Sequence, residues 1–393
     1  MEEIFHDIDQ GTEDSTTASD PLVDTFLDLV RIDGVAGKER EVASYLERRL
    51  SALGLEWHMD RAGESFGGDC GNLVARLAGT VGAPPILLGA HMDTVAPTRG
   101  LTVVHNDGRI SSDGTTILGA DDRAGIAIVL GVLSALLEER RPHGPIEVAF
   151  TVSEERGMHG AKALDIGALA ARMGFLFDSS AACGGFVVEA PGAIAFRIVV
   201  HGLAAHAAVA PEKGVHAIQI AARAIASLPL GRLDDTGMLN VGSVHGGGAI
   251  NVVPDTVEIT GETRSADPMA LERQIGLVRD AFERCAAEAG GSVEISLTHK
   301  YNGFRLGPDQ PVVRAAARAI EGAGFEVEML GYPGGSDANV LNQRGLPTVN
   351  LGIGTQDVHS PHESMPIQSL VDGVRIGLAI VEEISRGRPE EHG

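Results

Sequence analysis

The chain has 393 residues, 44% of them hydrophobic, enough for one large domain or two ordinary ones with substantial cores. Its formal charge of -23, with no Lys/Arg-rich run to reverse the field locally, argues against nucleic acid and anionic membrane surfaces as partners. The three cysteines, Cys70, Cys183 and Cys285, include no CxxC pair, so cysteine spacing supports neither a disulfide framework nor a thiolate zinc site.

Residues 1–20 are acidic and lack the basic and apolar regions of a secretory signal, so a frayed leader is expected there. Pro21 opens a helical pattern at Leu22, Phe26, Leu29 and Val30, and a second follows at Val42, Tyr45, Leu46 and Leu50 before Gly54. Short β-like runs at 72–77 and 86–89 precede a helix at 124–137 and strands at 146–152 and 174–177. The longest apolar stretch, 126–137, is too short to span a bilayer, and a cytoplasmic protein is expected. Alternating helices and apolar strands predict an α/β fold around a largely parallel sheet.

After Pro191 the rhythm changes to strand 193–200, helix 216–228, strands 239–244 and 257–263, helix 269–287 and strand 293–300. That β-α-β-β-α-β order is ferredoxin-like, and it predicts a separate small domain at 191–301 inserted between the halves, 21–190 and 302–393, of a larger domain. A helix at 312–321, strands at 325–329 and 347–351 and a last helix at 367–384 complete the larger unit.

Five places put a metal-competent residue at a strand end or a helix entrance, where ligand sites form in open α/β sheets. They are His91 with Asp93, the pair Asp121 and Asp122, the pair Glu154 and Glu155, Asp178, and the run from Asp357 through His359 and His362 to Glu363. Each alone also fits a structural role: a core histidine bonded to Asp93, a helix cap at Asp121 and Asp122, ordinary loop residues at Asp178 and His359. Two acids at the mouth of a buried strand, as at Glu154 and Glu155, are costly unless cations neutralise them. Together the set offers imidazole nitrogen and carboxylate oxygen, which suits zinc, cobalt or manganese better than calcium, and a two-metal hydrolytic site.

In these residues the sequence resembles the M20 family of co-catalytic zinc peptidases, in particular its peptidase T-like, tripeptide aminopeptidase branch. The matching strings are GAHMDT around His91, GADDRAG around Asp121, SEERGMHGA around Glu154 and Glu155, the FD ending at Asp178, and DVHSPHE around His359. His359 is preferred to His362 because the family's ligand stands four residues before a glutamate, here Glu363. The resemblance implies a three-layer sandwich of the zinc-peptidase type. It implies that His91, Asp121 and Asp178 hold one ion and Asp121, Glu155 and His359 the other, with Glu154 as general base for water and Asp93 fixing the His91 ring. An aspartate at position 178, rather than the glutamate of many carboxypeptidase and deacylase relatives, favours the peptidase branch.

In the inserted segment, GLAAHAA resembles the family's oxyanion-binding stretch and makes His206 a catalytic candidate, often serving a partner subunit. Asn251 in GGGAINVVP and Arg264 are candidates for gripping substrate, as are Gly334, Gly335 and Ser336 of GGSDAN; a turn, a salt bridge and a helix cap are their structural alternatives. The resemblance implies two divalent ions, most simply zinc, a short peptide substrate and a homodimer. The alternative is an amidohydrolase or carboxypeptidase acting on N-acyl or N-carbamoyl amino acids.

Overall fold

The computed structural model describes residues 20–234 and 236–387. The expected leader therefore lies outside the described residues, apart from Asp20, whose carboxylate accepts the Leu22 N–H and caps the first helix, Pro21–Val30.

A nine-stranded sheet forms the centre of the molecule. Its parallel core runs in the order Ile146–Thr151, Ile86–His91, Gly174–Ser179, Thr348–Gly352. Antiparallel strands Leu73–Leu77 and Glu56–Met59 extend one side, and Gly185–Ala190 the other. Phe304–Arg305 and Glu328–Gly331 both pair with that last strand, the latter in parallel.

Strand alternation decides what each face buries. Phe177 meets helix Ile367–Arg386 at Gly377, whereas Leu176 turns the other way, into a small cavity with Leu164 and with Leu341 of helix Asp337–Gln343. Helices Pro21–Val30, Ala120–Glu138 and Ile367–Arg386 pack on one another and on the Phe177 face. Helix Ala120–Glu138 is apolar nearly all round, as its position between sheet and outer helices requires. The result is the expected three-layer arrangement.

Residues 192–301 build a second, antiparallel sheet in the order Gly231–Arg232, Met238–Gly246, Thr256–Ser265, Gly192–His201, Ser292–Tyr301. Helices Ala217–Ala226 and Pro268–Ala289 pack against it, and Phe196, Ile198, Ile259, Val278 and Phe282 belong to a hydrophobic cluster separate from that of the main sheet. The four long strands follow the ferredoxin-like order; the short Gly231–Arg232 strand was not anticipated. Nor were Glu56–Met59, Gly185–Ala190 and the hairpin Val103–Asn106 with Arg109–Ser112, which pairs with Ser364–Pro366. These strands are short or carry mixed burial, so alternation is weak. The strand expected at 325–329 lies at Glu328–Gly331.

Candidate active site

The carboxyl ends of the parallel strands meet at one rim. His91 is the last residue of its strand, Ser153, Glu154 and Glu155 follow the strand ending at Thr151, Asp178 lies near the end of its strand, and Asn350 sits midway along the neighbouring Thr348–Gly352. Asp121 sits at the entrance of helix Ala120–Glu138.

These side chains touch. His91 Nε2 lies 3.1 Å from Asp121 Oδ1 and 3.4 Å from Asp178 Oδ1. His359 Nε2 lies 3.2 Å from Asp121 Oδ2 and 2.7 Å from Glu155 Oε1. Asp121 thus joins the two imidazoles, one through each oxygen. His362, the alternative, is exposed, while Glu363 is buried and accepts the N–H groups of Gly119 at 2.6 Å and Asp121 at 3.0 Å, clamping the turn that presents Asp121.

The supporting bonds fix each ring and carboxylate. His91 Nδ1 donates to the Asp93 backbone carbonyl at 2.9 Å, an acceptor that dictates the tautomer and leaves Nε2 for the site. The Asp93 carboxylate lies farther from the ring, at 3.4 Å, and its two oxygens instead accept the N–H groups of Glu154 and Glu155 at 2.9 and 3.1 Å. Asp93 therefore orients His91 through its main chain and the acidic turn through its side chain. Asn350 donates to Asp178 Oδ2 at 3.1 Å and accepts the Asp178 N–H at 3.0 Å.

The adjacent aspartates divide their labour. Asp121 and Asp122 have non-helical backbone angles. Asp122 is fully buried, with Oδ1 accepting the Gly125 N–H at 3.0 Å as a cap and Oδ2 the His91 N–H at 3.1 Å. Although Asp122, His91 and Asp178 bring donor atoms together, both Asp122 oxygens are engaged, so Asp121 is the one presented to the cavity.

Burial pushes the Glu154 carboxyl well above its ordinary value, that of Glu155 upward, and that of Asp178 to about 6. Burial also opposes charge on His91 and Asp121. Hydrogen bonds to the Asp121 and Asp178 carboxylates, with the more distant Asp93 carboxylate adding to them, outweigh it and raise His91; those from His359 and His91 lower Asp121. Hydrogen bonds to Asp121 and Glu155 hold His359 up at about 10. Such mutual dependence marks a cluster of acids that needs positive charge among them.

A cavity of about 380 Å³ opens over the cluster, lined by His91, Asp121, Glu154, Glu155, Asp178 and His359 together with residues of both sheets. The model of peptidase family M20/M25/M40 matches residues 87–383, which contain every one of these six. The chain belongs to that family.

Similarity to individual proteins spans nearly the whole chain. The uncharacterized protein YqjE of Bacillus subtilis (strain 168) is 41% identical over 93% of this chain and 98% of its own length. The structure of aminopeptidase PepT from Bacillus cereus ATCC 10987 has a TM-score of 0.88 at 41% identity, covering 93% of this chain and 98% of that one. A tripeptidase structure from Staphylococcus aureus has a TM-score of 0.90 at 39% identity, with the same coverage.

Within this M20 chain, Arg264 of the inserted sheet also lines the cavity, bonded to Glu262 at 2.9 Å and to the Pro333 carbonyl at 3.4 Å. Gly334, Gly335 and Ser336 line it too. Ser336 is at once a helix cap, in a reciprocal capping box with Asn339, and a Cβ on Gly335 would strike the Tyr301 ring. His206 and Asn251 do not join them. His206 is exposed, its Nδ1 accepting the Ala208 and Val209 N–H groups at 3.2 Å each, and Asn251 is exposed beside it. Asn350, Tyr301 and Tyr332 also stand on the cavity wall, where no motif in the sequence predicts them. A lone asparagine or tyrosine carries no spacing signal; the amide of Asn350 inside the expected strand 347–351 was the one clue.

Proposed function

We propose that this M20 peptidase is a two-metal aminopeptidase of short unblocked peptides, of the tripeptidase kind. The observation that carries the reading is the convergence of two imidazoles and three carboxylates around Asp121, with a fourth carboxylate, Glu154, facing the same cavity. The names of the aminopeptidase and tripeptidase to which the chain is most of its length similar support it.

The residues fit a pair of divalent cations. Packed acids with upward-pushed carboxyls are relieved by cations, and a mixed nitrogen and oxygen set suits zinc, with cobalt or manganese as substitutes. On this reading His91, Asp121 and Asp178 hold one ion, and Asp121, Glu155 and His359 the other. When bound, the pair polarises the scissile carbonyl and lowers the pKa of an attacking water. Glu154, held by Asp93 through its own N–H, takes the water proton and passes it to the leaving amine. Arg264, Ser336 and the Gly334–Gly335 backbone offer donors to the peptide, and Tyr301 and Tyr332 wall its side chains.

Segment 191–301 acts as the lid and dimerisation domain, with 21–190 and 302–393 as the catalytic domain. Strand Met238–Gly246 is paired beyond Thr256–Ser265 only at Met238 and Leu239, and Val244, Val209 and Ile250 are exposed nearby in the same segment. Pairing two copies along that edge would cover it and offer each cavity the His206 and Asn251 of the other copy. No helix among the described residues is long and apolar enough to cross a membrane, which accords with a cytoplasmic enzyme.

Glu154→Gln should lower kcat by about 10²- to 10⁴-fold while metal content by elemental analysis stays unchanged. Undiminished turnover would remove Glu154 from the reaction. Faster cleavage of N-acyl amino acids than of free tripeptides would replace the aminopeptidase reading with an amidohydrolase.

A further inference from the structure

Among the described residues, one group of metal-competent side chains lies outside the active site. Glu39, Asp69 and Cys70 each bring a donor atom within 4.8 Å of the other two. Glu39 precedes helix Arg40–Ala52 and is fully buried. Its Oε1 accepts the N–H groups of Gly37 at 2.7 Å and Ser153 at 3.0 Å, but Oε2 is buried with no partner. Asp69 is exposed, accepts the Arg40 N–H at 3.1 Å through Oδ1, and reaches the Cys70 thiol with its side chain. Cys70 is a buried free thiol. A buried carboxylate oxygen facing no donor is a group in want of one. The buried Arg123 guanidinium, whose Nε is likewise unpartnered, acts on Glu39 through space without donating a hydrogen bond to Oε2.

We infer that Glu39, Asp69 and Cys70 form a further divalent-cation site, for zinc or a similarly thiophilic ion. Sulfur beside two carboxylates selects zinc over magnesium or calcium. Donors around a tetrahedral ion with bonds of about 2.0–2.3 Å stand roughly 3.5 Å apart, so a group spread over at most 4.8 Å closes on an ion with small side-chain movements. The exposed Asp69 side gives the ion its entrance and leaves the fourth position to solvent. Binding replaces the Cys70 S–H bond with a sulfur–metal bond and releases the proton to solvent. Because Glu39 Oε1 holds the Ser153 N–H, the site lies one hydrogen bond from the turn that carries Glu154.

Cobalt(II) titration of the full-length, thiol-reduced protein tests this cleanly, because the proposed catalytic donors are nitrogen and oxygen alone. A near-ultraviolet thiolate-to-cobalt charge-transfer band then reports a cysteine ligand. The band should appear in the parent protein, persist in Cys183→Ser and Cys285→Ser, and vanish in Cys70→Ser. Asp69→Asn, at an exposed position, should move half-saturation of the band to about tenfold higher cobalt or more. No band at saturating cobalt overturns the proposal, as does a band surviving Cys70→Ser. If Cys70→Ser does not fold, a half-saturation unmoved by Asp69→Asn overturns it. The inference stands apart from the peptidase reading, which predicts no such band.

Discussion

Asn350 holds Asp178 twice, donating to one carboxylate oxygen and accepting the backbone N–H, so that only Oδ1 is left toward His91. If Asp178 holds metal, Asn350→Ala should weaken metal binding by about 10- to 100-fold, as loss of an orienting partner commonly does. Calorimetric metal titration checks this, and unchanged affinity would show that the strand alone fixes Asp178. Cys183 offers a pH test away from the active site. Burial pushes its thiol up to about 12, so at pH 8 it holds far less thiolate than an ordinary cysteine. Alkylation of Cys183 in the folded protein, followed by mass spectrometry, should keep rising above pH 10 instead of levelling near 9. A plateau at the lower value would mean that the thiol is more open to water than its packing against Ser369 implies.

At the scale of elements, helices Ala120–Glu138 and Ile367–Arg386 meet through glycine. A Cβ on Gly377 would stand 2.5 Å from Val132 Cγ2 and 3.2 Å from Phe177, closer than packed atoms tolerate. Gly377→Val should therefore destabilise the fold by about 1–3 kcal/mol through overpacking, read as a lower melting temperature. An unchanged melt would mean that the two helices slide apart freely. The start of helix Ala120–Glu138 shows why a capping motif and a site motif are hard to separate in a string. Two adjacent aspartates satisfy both readings, and only the backbone turn assigns capping to Asp122 and the cavity to Asp121.

For the whole molecule, four acids and two imidazoles in one cavity make folding and metal binding linked equilibria. A cation that binds the folded chain alone stabilises it by RT ln(1 + [L]/Kd), about 2.7 kcal/mol at a hundredfold excess over Kd. Chelator-stripped protein should melt several degrees lower than the zinc-loaded form, and added zinc should restore the difference in a concentration-dependent way. Equal melting temperatures would argue that the cluster holds no cation in the folded state.

Much of this was legible in the chain itself. Largely apolar runs such as 86–90 and 148–152, leading into His91 and the Glu154 pair, announced buried parallel strands with chemistry at their carboxyl ends. The switch of rhythm after Pro191 announced the second sheet. What the sequence alone could not contain was distance. His359 and Glu155, 2.7 Å apart, are separated by 204 positions, and Asn350, Tyr301 and Tyr332 belong to the cavity because of where the sheets bring them, not through any local pattern. Spacing along a chain reports only what one helix turn or one strand repeat brings together. Contacts across a parallel sheet, and the exposed placement of His206 and Asn251, follow from strand order and long-range packing, which only the folded molecule decides.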